Sequence, residues 1–450
     1  MTHIDRRDFL KACCASGLVA GTVPGTRLVF GATAANDYDT LVVVFLRGGM
    51  DGLSLISPGA SNAERGRYEQ ARNATRIALS GEGAGLALGG DGQWQVHPRA
   101  PELQALYNQN RLAVVLGAGM PAPVTRSHFD AQVNMEVGLA GQGGGIGWIT
   151  RALASTTLPP DVMIPALSVG SLTSTSLLGS TEAITMASGG DFRIDTGNWA
   201  WNVSPDYAGD APDGVHGMLA ALPQLWSGSS SLEAAGRQTL DALQVIRGID
   251  FDGYVPAAGA NYDPGDAFSQ QLRMLAQLIK LDVGLRYAAI DLGGWDTHNG
   301  QNYFFGEIVA RLSRGLGAFQ ADLANDAGNY AQRVSTVAMS EFGRRVQEND
   351  DQGTDHGYGN VMLALGGSVN GGRTFGEFAG LAGDQMFEGA DVMVTTDYRS
   401  VLSEALIRRL HNSNIYYAFP GYSNYTPLGI FQGSDLPPGG FDAVFANGFD

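Results

Sequence analysis

Five short apolar runs, each bounded by glycine or polar turn residues, constrain the fold more than any other feature of this chain. They are residues 41–46, 112–116, 287–292, 335–339 and 361–365. Runs of this length and composition are typical of strands in a parallel sheet covered on both faces. Helical spacing of apolar residues occurs between and after them, at 100–108, 127–138, 232–247, 267–283, 305–325 and 399–411. This alternation predicts a doubly wound α/β fold with a mostly parallel sheet and helices on both faces, in which sites gather at the carboxyl ends of the strands.

One segment departs from this alternation. In residues 155–231, Ser, Thr, Gly and Pro are interspersed with short apolar segments such as 166–169. We interpret it as an insertion of irregular or β structure that forms a lid over the sheet. No other change in composition indicates a linker, so residues 35–450 are expected to form a single α/β domain.

The first residues predict export. The pair Arg6-Arg7, followed by Phe9-Leu10-Lys11, precedes a weakly apolar stretch at 12–23 and small residues at 32–34. A charged start, a short apolar middle and a small-residue end are typical of a signal peptide, and the arginine pair indicates the twin-arginine route. We expect the twin-arginine translocase to export the folded chain, residues 1–34 to be removed, and the product to be periplasmic or secreted. The alternative is a chance arginine pair on an ordinary amphipathic helix.

Composition excludes several function classes. The two cysteines, Cys13 and Cys14, lie in the predicted signal, which leaves no thiol for disulfides or metal ligation afterwards. The chain carries 45 acidic and 28 basic residues, a net charge of −17, which disfavours nonspecific binding to nucleic acid or to an anionic membrane surface. After residue 34 no uncharged apolar run reaches the roughly 20 residues of a membrane helix. We expect neither a nucleic-acid partner nor a membrane span.

Polar side chains stand at the ends of the predicted strands. Asp51 follows the first, Asp296 and His298 follow the third, Glu341 follows the fourth, and His356 precedes the fifth. Carboxylates and neutral imidazoles are ligands for divalent metals, and one cleft would collect all five. Each residue also has a plainer interpretation: a turn for Asp51, an ion pair with the following arginines for Glu341, and loop hydrogen bonds for His298.

Ser127, after the second strand, is a candidate nucleophile. A hydroxyl at a helix N-terminus faces a dipole that attracts anions, and a metal or base can activate it. The alternative is a structural cap, since Asp130 three residues on fits a capping box. Arg126 and Arg47 carry the forked donors that hold phosphate or sulfate oxygens.

Together with the export signal, the motifs around these residues closely resemble a bacterial family called domain of unknown function 1501. They are residues 45–52, 126–129, 293–298, 339–344, 354–357 and 395–399. The family is generally placed near the alkaline phosphatase and sulfatase superfamily, and is often encoded beside a second exported family of unknown function, number 1800. The resemblance implies an α/β core with metals at the strand ends, Asp51 as the first-strand ligand, Ser127 as nucleophile, and Asp296, His298 and His356 as later ligands.

These observations indicate an exported metal-dependent hydrolase-like protein that acts on a phosphate or sulfate ester of a small molecule or polymer. The ligand types suit zinc, calcium, magnesium or manganese.

Two departures from the superfamily pattern support an alternative. The superfamily has an Asp-His pair where this chain has Glu341-Phe342, and Asp-x-x-x-His where it has Asp296-x-His298. A non-catalytic periplasmic binding or assembly protein on a degenerate hydrolase scaffold, working with a co-exported partner of family 1800, would fit these departures. A third hypothesis, an oxidoreductase that loads a redox cofactor before export, rests only on how often such cofactors occur in proteins exported by this route.

Overall fold

The computed structural model describes residues 39–139, 145–158, 162–190 and 223–439. The predicted signal at 1–34 lies outside these ranges, as do residues 191–222 of the predicted insertion. Within them, no helix is both long and apolar enough to cross a membrane.

The described residues form a nine-stranded sheet in the order β11-β5-β10-β9-β1-β8-β6-β7, with β12 also pairing with β5. The strands of this sheet are β1 (Thr40–Arg47), β5 (Leu112–Gly119), β6 (Ala166–Val169), β7 (Ala183–Met186), β8 (Tyr287–Gly293), β9 (Val334–Met339), β10 (Asn360–Leu365), β11 (Arg373–Phe375) and β12 (Thr396–Asp397). Only β10 runs against its neighbours, β5 and β9; the other pairs are parallel. The predicted mostly parallel α/β fold is confirmed.

Helices cover both faces of this sheet. They are α1 (Gly52–Leu55), α2 (Arg65–Ala71), α3 (Pro101–Asn108), α4 (His128–Val137), α5 (Trp148–Ala154), α6 (Ser231–Arg247), α7 (Ala267–Lys280), α8 (Gln301–Ala324), α9 (Tyr398–Arg408) and α10 (Ile415–Ala418). Alternate residues of β1 enter opposite cores, because side chains of a strand alternate between its two faces. Val42 and Val44 pack with α3, α6, α7 and α8, whereas Leu41 and Val43 pack with α4, α5, α9 and α10.

Two segments differ from the sequence-based expectation. Strands β6 and β7 fall within the predicted insertion, yet β6 pairs in parallel with β8, so this part extends the sheet rather than covering it. A small antiparallel sheet of β2 (Ile56–Pro58), β4 (Trp94–Val96) and β3 (Leu86–Leu88) was not predicted. Strands of three residues are too short to show a period of two.

The directions of the strands determine which residues come together at the candidate site. Strands β1, β8 and β9 are parallel and in register, with Arg47 opposite Gly293 and Phe45 opposite Met339. Their carboxyl ends therefore lie at one edge, and antiparallel β10 begins at that edge. The residues that follow β1, β8 and β9, and those that precede β10, are brought together there.

Candidate metal centre

Three histidines and one aspartate converge at the carboxyl edge of the sheet. Asp296 and His298 follow β8, His356 precedes β10, and His128 is the first residue of α4. Ligand atoms of His128, Asp296 and His356 all lie within 4.8 Å of one another. Nε2 of His298 lies 3.1 Å from Oδ1 of Asp296 and 2.8 Å from Nε2 of His356. The structure thus brings together three of the predicted ligands and adds His128.

Glycine lets the turns after β1 and β8 pack against each other. Gly48 has a φ of +122°, and a Cβ at this position would lie 2.6 Å from the backbone nitrogen of Asp296. The neighbouring Trp295 is fully buried, and its indole donates a hydrogen bond to the carbonyl of Leu292. The backbone of Asp296 is therefore fixed by contact with the first strand, which holds its carboxylate at the sheet edge.

His128 is oriented by a buried carboxylate. Its Nδ1 lies 2.8 Å from Oε1 of Glu341, an acceptor, so in the neutral ring Nδ1 carries the proton and Nε2 presents its lone pair. Glu341 is itself held by the backbone N–H of Gly48 and the amide of Gln132, both at 2.8 Å. Nε2 of His128 is buried without a hydrogen-bond partner in the described ranges, and the nearest carboxylate oxygen is Oδ2 of Asp296 at 3.5 Å.

The other two histidines are oriented in the same way. Nδ1 of His356 lies 2.8 Å from the carbonyl oxygen of Arg126, and Nδ1 of His298 lies 3.2 Å from Oδ1 of Asp355. In the neutral tautomers that these acceptors favour, all three Nε2 lone pairs face the region around Asp296. In metal sites, a ligating histidine usually donates its other ring N–H to an acceptor, and this hydrogen bond fixes the orientation of the ring.

The spacing of the donor atoms around Asp296 is close to that of a metal site. Two ligands bound about 2.0–2.1 Å from a tetrahedral cation lie roughly 3.4 Å apart. Nε2 of His356 and Nε2 of His298 lie 3.2 and 3.1 Å from Oδ1 of Asp296, and Nε2 of His128 lies 3.5 Å from Oδ2. The Nε2 atoms of His298 and His356 are only 2.8 Å apart, so these two rings must separate to bind one ion. The donor types fit a divalent metal, and His128, Asp296 and His356 form its compact centre.

Charges near the cluster keep its carboxylates ionised. Burial raises the pKa of Asp296, but the hydrogen bond and charge of Arg344 outweigh it and lower this pKa to about 2. Nη2 of Arg344 lies 2.5 Å from Oδ1 of Asp296, and its guanidinium also donates to the carbonyls of Gly49 and Thr354. Likewise, burial raises the pKa of Glu341, but hydrogen bonds from His128 and other donors lower it to about 2.

The imidazoles of the cluster respond differently to their surroundings. The hydrogen bond to Glu341 raises the pKa of His128 despite partial burial. Burial lowers the pKa of His356, which also lies near the positive charge of Arg344. The site remains open to solvent on one side, where the His298 side chain is 42% exposed and the Asp296 side chain is 47% exposed.

Two predicted ligands lie elsewhere. The buried Asp51 carboxylate forms an ion pair with Arg72 at 2.6 Å and accepts hydrogen bonds from Ser54 and Gln301 at 2.7 and 2.6 Å. These three partners contact Oδ2, and Arg72 also donates to Oδ1 at 3.2 Å, so Asp51 is a buried structural group rather than a member of the cluster. Glu341 lies behind His128, where it orients the imidazole.

The residues predicted to bind and attack the ester also have partners. Arg126 pairs with Glu388 and Asp391 at 2.8 and 2.5 Å. Arg47 pairs with Glu136 and Asp291 at 2.7 and 2.8 Å. Both guanidinium groups thus link segments of the fold instead of standing free.

Ser127 caps α4 as its alternative interpretation predicted, with Oγ accepting a hydrogen bond from the backbone of Asp130 at 3.4 Å. This bond is long, and Ser127 directly precedes the cluster residue His128.

Sequence reasoning missed two residues of the site. His128 directly follows Ser127 in the motif 126–129, and its imidazole ring lies 4.3 Å from that of His356, centroid to centroid. Arg344 was considered only as a partner of Glu341, whereas it contacts Asp296. Phe342, where the sequence resemblance leads us to expect a histidine, packs its ring 4.9 Å from both His128 and His356. It forms an apolar wall beside the imidazoles.

Solved structures similar to this chain are distant in sequence. Ps i-CgsB is 11% identical with a TM-score of 0.33, over 75% of this chain and 68% of that chain. Its complex with k-i-k-neocarrahexaose is 10% identical with a TM-score of 0.35, over 86% and 73%. A protein in the alkaline phosphatase superfamily from Vibrio parahaemolyticus is 10% identical with a TM-score of 0.27, over 81% and 69%.

No curated protein matches the chain by sequence. A family model described as "Protein of unknown function (DUF1501)" matches residues 231–412, a segment that contains Asp296, His298, Glu341 and His356. His128 lies outside that segment. The resemblance indicated by the sequence motifs is thus confirmed over this part of the chain, and residues 231–412 match the DUF1501 family of proteins of unknown function.

Proposed function

We propose that this protein is an exported metal-dependent hydrolase of a phosphate or sulfate ester, and that His128, Asp296, His298 and His356 hold one divalent cation. One observation carries the proposal: each imidazole has Nδ1 on an acceptor, ligand atoms of His128, Asp296 and His356 lie within 4.8 Å of one another, and Nε2 of His298 lies 3.1 Å from the Asp296 carboxylate. Unprotonated Nε2 atoms that face one another repel unless a cation lies between them. A metal ion relieves this repulsion, and its binding moves the two Nε2 atoms from 2.8 Å to roughly 3.4 Å apart.

The donor set favours some metals over others. Imidazole nitrogen suits zinc and other transition metals, whereas calcium takes six to eight oxygen ligands and magnesium retains several waters. Three imidazoles and one carboxylate therefore support zinc or manganese over calcium or magnesium. The cation would polarise the ester and lower the pKa of an attacking hydroxyl.

In this proposal the residues of the chain have separate roles. Ser127 supplies the attacking hydroxyl, because it adjoins His128 and its capping bond is long at 3.4 Å. Arg344 keeps Asp296 ionised, and Glu341 keeps His128 in the correct tautomer. Arg126 contributes its backbone carbonyl, which orients His356, whereas its guanidinium does not bind the ester.

Periplasmic or extracellular location is proposed from the N-terminal pattern alone. A fusion of residues 1–34 to a reporter that is active only after twin-arginine export tests it. The matched variant Arg6→Lys with Arg7→Lys keeps the charge and should abolish export. Export of this variant at the normal level would contradict the twin-arginine assignment.

Metal content and turnover test the function together. The full chain, stripped with a chelator and reloaded with zinc or manganese, should hold about one ion and hydrolyse p-nitrophenyl phosphate or p-nitrophenyl sulfate. His356→Ala should lose both, whereas His411→Ala, which removes an exposed histidine outside the site, should lose neither. A correctly folded wild-type chain that binds no divalent ion would overturn the proposal.

One observation favours a second candidate function. The Arg344 guanidinium lies 2.5 Å from Oδ1 of Asp296, so its positive charge balances this carboxylate without a metal ion. A scaffold with this charge could serve as a binding or assembly protein for a co-exported partner, such as a member of family 1800, without turnover. Stoichiometric recovery of a partner from periplasmic extract, combined with inactivity of the metal-loaded chain on both esters, would support it; hydrolysis lost in His356→Ala would exclude it.

A further inference from the structure

We propose that this protein has a second binding site, for a small acidic sugar, at the opposite edge of the sheet from the metal centre. A groove of about 370 Å³ lies between the end of α3, the C-terminal half of α8 and residues 259–261. Its polar lining consists of Glu102, Gln109, Arg111, Asn261, Arg314 and Asn325. The volume falls in the range of roughly 300–1,000 Å³ that is typical of small-molecule pockets.

Strand direction separates this groove from the metal centre. Arg111 directly precedes β5, so it lies at the amino end of that strand. Strands β5 and β9 are both antiparallel to β10 and thus run in the same direction. Because the metal centre lies at the carboxyl end of β9, the groove lies at the other edge. The proposal therefore does not depend on the proposed hydrolase activity.

Small residues create the floor of the groove. A Cβ at Gly317 would lie 2.6 Å from the Cβ of Glu102, so glycine allows α3 and α8 to approach closely here. Ala105, Ala318 and Ala321 line the same floor. Longer polar side chains stand around it, and the result is a shallow apolar base within a polar rim.

The charge of the rim favours an anion. Within the described residues, no hydrogen bond or ion pair engages the Arg111 guanidinium. Arg314 approaches only Asp263, at 3.8 Å, which is beyond hydrogen-bond distance. The single acid of the lining, Glu102, accepts a hydrogen bond from Ser313 at 2.6 Å. In a chain of net charge −17, two such guanidinium groups form a local positive site with forked donors for an oxyanion.

The remaining polar groups suit hydroxyls. Gln109, Asn261 and Asn325 each carry a carboxamide, which both donates and accepts hydrogen bonds. Asn325 donates to the carbonyl of Ala258 at 2.7 Å, which leaves its side-chain oxygen as an acceptor. The lining contains no aromatic ring on which a nucleobase could stack. A sugar with one carboxylate or phosphate group therefore fits better than a nucleotide.

Calorimetric titration of the full chain at low ionic strength tests the site. Glucuronate and glucose 6-phosphate represent the two sources of oxyanion, and neutral glucose is the control ligand. We expect at least one acidic sugar to bind and glucose to bind at least tenfold more weakly. Arg111→Gln and Arg314→Gln should each weaken binding of the acidic sugar by about tenfold or more, the effect of losing a charge-assisted hydrogen bond.

Two matched variants define the control. Arg99→Gln removes an exposed arginine that pairs with Glu307 on α8 outside the groove, and it should bind like the wild type. His356→Ala removes a residue of the metal centre and should also bind like the wild type. Failure of both acidic sugars to bind, equal weakening in Arg99→Gln, or loss of binding in His356→Ala would overturn a separate acidic-sugar site.

Discussion

The Nε2 atoms of His298 and His356 lie 2.8 Å apart, and each lies within 3.2 Å of Oδ1 of Asp296. Because the Nδ1 atoms of both rings contact acceptors, two neutral imidazoles would point lone pairs at each other. A proton shared between the rings or a bound cation removes this repulsion. The arrangement makes metal binding and imidazole protonation compete for the same lone pairs.

Glu341→Gln should weaken metal binding without removing a ligand. The substitution removes the negative charge that fixes the tautomer of His128, and loss of such an orienting partner costs about 10- to 100-fold in metal affinity. Competition with a chromophoric chelator measures the affinity. Glu307→Gln, at an exposed acid of α8, should match the wild type. If Glu341→Gln binds metal as tightly as the wild type while His128→Ala does not, then Glu341 has no orienting role.

Asp51→Asn should lower stability and leave metal content unchanged. Breaking the buried pair with Arg72 leaves a guanidinium without its counter-charge, which costs about 3–5 kcal/mol in the free energy of unfolding. Denaturant unfolding and metal analysis of the same sample separate the two effects. Loss of the ion from a chain that stays as stable as the wild type would instead make Asp51 a ligand, as its place after the first strand suggested.

Ser127→Ala should abolish ester hydrolysis and retain the metal. The substitution removes the proposed nucleophile, and loss of the cap on α4 costs about 0.5–2 kcal/mol. Ser230→Ala removes a comparable cap from α6, so it should reduce stability by a similar amount without affecting turnover. Steady-state assays on the two variants at equal metal loading distinguish the roles. Full activity in Ser127→Ala would leave the hydroxyl as a cap only.

Acid should destabilise the fold through His97. Burial, with the nearby charge of Arg99, lowers the pKa of His97 to about 4, whereas an unfolded histidine titrates near 6.5. The unfolded chain therefore binds more protons between these values, and stability rises with pH through that window. The contribution amounts to at most about 3 kcal/mol. His97→Asn should reduce the slope of unfolding free energy between pH 4.5 and 6.5, as measured by urea titration. An unchanged slope would contradict a buried neutral His97.

Strong local patterns made the main sheet predictable. The five apolar runs became β1, β5, β8, β9 and β10, within a few residues at each end. Their direction was less visible, since nothing in residues 361–365 distinguishes a strand that runs against its neighbours. Pairing of β6 with β8 was also hidden, because four residues within a segment rich in Ser and Thr carry too little periodicity to identify the strand's partner.

The candidate site was predictable where strand ends determine proximity, as for Asp296, His298 and His356. It was not predictable where a distant partner decides the role of a residue. Asp51 has the position of a ligand, but its carboxylate pairs with Arg72. Arg72 directly follows the short helix α2, which the apolar pattern of the sequence did not predict. Similarly, the capping role of Ser127 concealed that the next residue, His128, points its ring into the cluster. Metal binding itself stays a prediction.

The reversal of β10 also determines how the site is divided along the chain. Since β9 ends and β10 begins at the same edge, the connection between them never leaves that edge, and one continuous stretch supplies Glu341, Arg344, Asp355 and His356. A parallel neighbour would have needed a crossover helix between the first and the last of these. Most of the metal-orienting groups therefore come from sixteen consecutive residues, so a deletion or insertion in this one connection would disturb the orientation of several ligands together.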